Sequence, residues 1–144
     1  MSLEIRGMAP LLSVFDMPTS VRFYRDVLGF EVISTSARAE GEAYGWALLR
    51  HGEVEVMLNT AYDDGERPAT PETARIESHQ DTCLYFGCPD PDGALEYLRG
   101  RGVKLEPPKT AYYGMRQLYV HDPDGYNLCF QWPAEKLERQ VRDM

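Results

Sequence analysis

Long apolar runs are missing from this chain of 144 residues. No stretch approaches the ~18 residues that cross a bilayer, and the first residues lack the apolar core of a secretion signal. A membrane anchor is therefore not expected. Basic residues are the minority, 15 Lys and Arg against 23 Asp and Glu, for a net charge of -8. Nucleic acids and anionic membranes select basic surfaces, so neither is expected as a partner. Cys83, Cys88 and Cys129 form an odd, unpatterned set, which excludes a disulfide framework and suits a reducing cytoplasm. Histidine is equally sparse. His51 lies in a turn, His79 in a connecting segment and His121 beside a hairpin, and each is expected to be solvated. No phosphate-binding Gly loop, Ser–His–Asp arrangement or paired catalytic carboxylates can be read from the chain.

What is present is one pattern written twice. Leu11 to Val32 (LLSVFDMPTSVRFYRDVLGFEV) and Leu84 to Leu105 (LYFGCPDPDGALEYLRGRGVKL) each run strand, Asp, amphipathic helix and Gly stop. Placing Asp16 on Asp90, 74 residues on, sets Val21 on Leu95, Tyr24 on Leu98 and Arg25 on Arg99. Half the chain is about this long, so a duplicated module fills nearly all of it, with a pocket expected between the two sheets.

The periodicities divide the chain further. Met8–Val14 reads as a strand, Pro18–Leu28 as a helix capped by Asp16 or Thr19, and Glu31–Thr35 as a short strand. Gly45–Arg50 and Glu53–Asn59 form a hairpin about His51-Gly52. Residues 61–80 carry two prolines and few large apolar side chains, and read as a linker. A strand at Thr82–Gly87, a helix at Pro91–Arg99, an extended piece at Val103–Leu105, and strands at Met115–His121 and Tyr126–Trp132 follow. The modules are therefore βαβββ units at about 7–60 and 81–133 of a single α+β domain. Residues 134–144 form a tail whose i,i+4 charge pairs favour a surface helix. The tetrapeptide DPDG opens a helix at Asp90 and turns a hairpin at Asp122.

Strand alternation sorts the side chains. Val54, Val56 and Leu58 face one way, and Glu55, Met57 and Asn59 the other. Leu84, Phe86 and Cys88 oppose Cys83, Tyr85 and Gly87, and Leu128, Phe130 and Trp132 oppose Asn127, Cys129 and Gln131. Ala9 and Ser13 join Glu55, Asn59, Tyr85 and Gln131 as the expected lining of one concave wall suited to an organic ligand.

The run Asp16, Ser20, Phe23, Tyr24, Leu28, Gly29, Phe30, and the ending YGMRQLYVHDPDGYNL from Tyr113 to Leu128, resemble the vicinal oxygen chelate superfamily. That group includes glyoxalases, bleomycin-resistance proteins and extradiol dioxygenases. The resemblance implies cupped mixed sheets and a homodimer. It also implies a divalent ion held seven residues before each helix-leading Asp, on each module's last strand, and four residues after the DPDG glycine. Here those positions fall on Ala9, Cys83, Cys129 and, most naturally, Glu55. Ala9 has no donor, so no metal and no cofactor is expected. A soft-ion site of Cys83, Cys129 and Glu55 is the alternative, without CxxC spacing to support it.

The expectation is a cytoplasmic, homodimeric protein that binds a small organic molecule, as in antibiotic or metabolite sequestration. The acidic balance is compatible with a cationic one. Its candidate ligand-binding residues are Ser13, Trp46, Glu55, Met57, Asn59, Cys83, Tyr85, Tyr113, Arg116, Tyr119, Cys129 and Gln131. The alternative is a lyase, isomerase or dioxygenase with substituted ligands, using Glu55 as general base in a partly dry cavity.

Overall fold

The structure, a computed structural model, describes residues 2–36, 44–63 and 65–137. The chain divides into two compact units, Met1–Pro71 and Glu72–Met144. The boundary falls inside the expected linker.

The first unit runs β1 (Leu11–Val14), α1 (Met17–Arg22), β2 (Glu31–Thr35), β3 (Trp46–His51) and β4 (Val54–Thr60). Its sheet has the order β1-β4-β3-β2, with β1 parallel to β4 and the other pairs antiparallel. The expected strand from Met8 begins only at Leu11. Pro10 has no N–H to give a ladder, and only its carbonyl is used, accepting from Met57 N at 2.8 Å. Asp16 is the cap: its Oδ2 accepts from Thr19 N at 3.1 Å, and Pro18 sits in the first turn.

The expected helix to Leu28 is interrupted. Residues Phe23–Val27 widen into a π-turn, with Leu28 N donating to Phe23 O at 3.0 Å. The slip takes Leu28 half out of the core and brings in Phe30, whose ring meets the buried Tyr24 ring edge-on at 5.9 Å. Val14, Val21, Ala47, Leu49, Val56 and Leu58 complete this core.

The second unit runs α2 (Thr73–His79), β5 (Cys83–Gly87), α3 (Pro91–Gly100), β6 (Lys109–Thr110), β7 (Met115–His121) and β8 (Asn127–Pro133). Its sheet order, β5-β8-β7-β6, reproduces that of the first unit, again with one parallel pair, β5–β8. Asp90 caps α3 by accepting from Gly93 N at 3.0 Å. Leu95, Leu98, Leu118, Val120 and Leu128 are buried between α3 and the sheet. The extended piece expected at Val103–Leu105 takes no part in the described ladder; pairing begins at Lys109, after Pro107 and Pro108, neither of which can donate to a ladder. The tail turns helical at residues 134–137, and the rest of it lies outside the described residues.

Helix α2 corrects the linker reading. It lies over the Asp122–Gly125 hairpin turn. Arg75 Nη1 meets Asp124 Oδ1 at 2.9 Å, with side chains 14% and 2% exposed. His79 Nδ1 donates to the Asp124 carbonyl at 2.7 Å, since a carbonyl can only accept, and its ring stacks on Tyr126 at 4.0 Å. His79 is therefore a structural tie and not a solvated side chain. Gly125 has φ +85°, and a Cβ there would stand 2.6 Å from Ile76 Cγ2. Only glycine satisfies both the turn and the close approach of α2. Among the described residues, no helix is long and apolar enough to cross a membrane.

Candidate functional site

In each unit the helix covers one sheet face, and the side chains on the other face fall into rows fixed by the strand register. In the second unit the middle row is Tyr85, Cys129 and Tyr119 across β5, β8 and β7. To one side stand Cys83, Asn127 and His121; to the other, Gly87, Gln131 and Gln117, with Lys109 beside Gln117 on β6. In the first unit the middle row is Leu11, Met57 and Leu48, flanked by Ser13, Asn59 and Trp46, and by Glu55 with Arg50.

The second unit's face is organised around Gln117, which is 8% exposed. Its Nε2 donates to Tyr113 Oη at 2.7 Å and to Gln131 Oε1 at 2.9 Å, and its Oε1 accepts from Tyr119 Oη at 3.4 Å. A buried carboxamide held on three sides cannot rotate without losing partners, so this part of the wall is rigid. Beside it, burial pushes the Cys129 thiol up to about 11, against the lowering effect of its hydrogen bond with Tyr119. Burial also raises Cys83, opposed by a hydrogen bond with Tyr85. Tyr119 is held well above the usual phenol value, first by its hydrogen bond with Tyr85 and then by burial. At neutral pH these three groups are uncharged, and with the amides they make a neutral polar wall set with aromatic rings.

Arg116, expected among the ligand-binding residues, lies on the other face. It donates from Nη2 to Asp92 Oδ1 of α3 at 2.8 Å and from Nε to Asp92 Oδ2 at 3.2 Å. That bond holds the Asp92 carboxyl below its usual range. Gln117 takes the place expected for Arg116. It was missed although alternation from Tyr119 reaches it two residues back.

The register also corrects the fourth metal position. The closing position, Cys129, lies opposite Tyr85, five residues before Asp90. The counterpart of Tyr85 in the first unit is Leu11, five residues before Asp16, and its partner is Met57. The position is therefore Met57, and Glu55 lies two residues away opposite Arg50, paired to it at 2.9 Å with its side chain 33% exposed. Where a base in a partly dry cavity was expected, Glu55 instead meets the Arg50 guanidinium and solvent. A side chain without a donor (Ala9), a thioether and two thiols pushed toward their neutral forms do not fit a hard divalent ion. Among the described residues no three of His, Cys, Asp and Glu gather as a metal site.

Residues 8–130 match the sequence profile of the Glyoxalase/Bleomycin resistance protein/Dioxygenase superfamily. The chain belongs to that superfamily. It is 32% identical over 125 residues to the uncharacterized protein YwkD of Bacillus subtilis, covering 86% of this chain and 89% of the relative. It is 28% identical over 129 residues to a lactoylglutathione lyase of Haemophilus influenzae, covering 83% and 87%. TnmS3, described as an antibiotic binding protein from Streptomyces sp. CB03234, shares the fold with a TM-score of 0.65 at 21% identity, covering 92% of this chain and 99% of TnmS3. Within the glyoxalase superfamily, then, this chain keeps the duplicated scaffold, and the open faces of its two sheets carry different side chains.

Proposed function

We propose that this protein binds a small organic molecule on the open face of its second sheet, as a cytoplasmic, homodimeric sequestering or carrier protein, without the ion typical of its superfamily. The observation that carries this reading is the residue set where the superfamily resemblance and the strand register would put an ion: Ala9, Met57, Cys83 and Cys129. Two of these belong to a wall of Tyr, Gln and neutral thiol groups, which recognises organic ligands by stacking and hydrogen bonding. The antibiotic-binding activity attributed to TnmS3 supports the same use of the fold.

The test is elemental analysis and native mass spectrometry on one purified sample. The expected result is no stoichiometric first-row metal after dialysis, with small organic molecules retained or taken up. One bound ion per chain, lost in Met57→Ala or Cys129→Ser, would overturn the reading and restore a metal-dependent activity.

A further inference from the structure

A groove of about 570 Å³ runs along β7 in the second unit, between that strand and the segment from Lys104 to Ala111. Its volume falls in the ~300–1,000 Å³ range of small-molecule sites. The floor continues the wall already described, through Gln117, Tyr119 and His121. Leu105, Pro107 and Ala111 give the opposite side an apolar surface.

The charge of this groove runs against that of the chain. Its lining carries two ammonium groups, Lys104 and Lys109, and one carboxylate, Glu106, whereas the whole chain is at -8. Glu106 does not cancel Lys109 firmly: they are 3.8 Å apart with side chains 86% and 83% exposed, a pair that water screens and a better-placed anion displaces. Lys104 has no ion-pair partner among the described residues, nor has His121. A ligand seated here meets local positive charge whatever the sign of the rest of the surface, because exposed charges beyond about one Debye length are largely screened.

We propose that the groove selects organic anions with an apolar or aromatic body, the acid group held by Lys104 or Lys109 and the body lying against Leu105, Pro107 and the Tyr119 ring. This rests on the binding reading above and names its ligand class. It reverses the cationic ligand that the acidic composition suggested. It also gives His121 a task, as a ring N–H partner for the oxygen atoms that the lysines do not reach.

Three probes of one shape separate charge from shape: 2-naphthoate, neutral 2-naphthamide and cationic 2-naphthylmethylammonium, each titrated calorimetrically at low salt. The expected order is naphthoate first, by about three- to tenfold over the amide, with the ammonium weakest. Lys104→Gln or Lys109→Gln, each at an exposed position and each leaving the lining without net charge, should bring naphthoate down toward the level of the amide and change the amide far less. Raising the salt should weaken naphthoate alone. If the amide binds as well as naphthoate and Tyr119→Ala weakens both, the binding reading stands and the anion inference falls. Ammonium binding as tight as naphthoate also overturns the inference. If none of the three binds, both fall.

Discussion

The middle row of the open sheet face reads Leu11, Met57, Leu48 in the first unit and Tyr85, Cys129, Tyr119 in the second. Both rows occupy the same register positions of sheets with the same strand order. The first offers hydrocarbon and a thioether. The second offers two phenols and a thiol hydrogen-bonded together. The duplicated backbone therefore supplies places, and the side chains at those places supply chemistry, so the two halves need not share a function. The hairpins that close the two sheets differ in the same way. The turn at His51-Gly52 is exposed, while Asp122–Gly125 is pinned beneath α2.

The largest effect expected concerns that pinned turn. Arg75→Ala strips the ion-pair partner from a carboxylate that is 2% exposed. Removing one member of a buried pair typically costs roughly 3–5 kcal/mol, which should appear as a lower denaturation midpoint at unchanged slope. A loss below about 1 kcal/mol would show that α2 is an ornament on the turn and not its clamp.

Next comes a paired comparison of glycines. Gly52 and Gly125 both have positive φ, +58° and +85°, so each loses backbone freedom on change to Ala. Only Gly125 has a neighbour within 4 Å, Ile76. Gly125→Ala should therefore cost on the order of 1–3 kcal/mol more than Gly52→Ala. Equal losses would mean that backbone strain explains both and α2 yields freely.

A smaller, chemical contrast concerns the thiols. Alkylation needs the thiolate, and burial pushes Cys129 up to about 11 and raises Cys83 and Cys88 as well. At pH 8, Cys129 should react about a hundredfold or more slowly with iodoacetamide than free cysteine, and faster as the pH climbs toward 11. Rapid labelling of Cys129 near pH 7.5, read by peptide mass spectrometry, would mean a thiolate in the row and reopen a soft-metal site.

Much of this was legible in the sequence because local rules sufficed. Asp16 and Asp90 cap their helices, the two DPDG runs divide into a helix start and a hairpin turn, and alternation picks out the faces of β4, β5 and β8. Rules of longer range were needed elsewhere. Helix α2 is short and has no fully buried residue, so it carries no apolar stripe; what places it is its fit to a turn some 45 residues later. The π-turn follows from packing Phe30 against Tyr24, which no helical periodicity encodes. The sequence placed the fourth ion position on Glu55 because alternation gives a side and not a row; the β1–β4 register, which sets Met57 opposite Leu11, is what separates the two. Arg116 was an avoidable error: it stands three residues from Tyr119 on a strand, and odd spacings point to opposite faces.

The central claim is that the second unit binds an organic ligand without a metal. It is tested most directly by chemical-shift mapping of EDTA-treated protein titrated with 2-naphthoate. The account predicts saturable shifts centred on Lys104–Ala111, Gln117, Tyr119 and His121, unchanged when a divalent metal is added back. No shift in that set, or shifts that appear only after metal is restored, would contradict it.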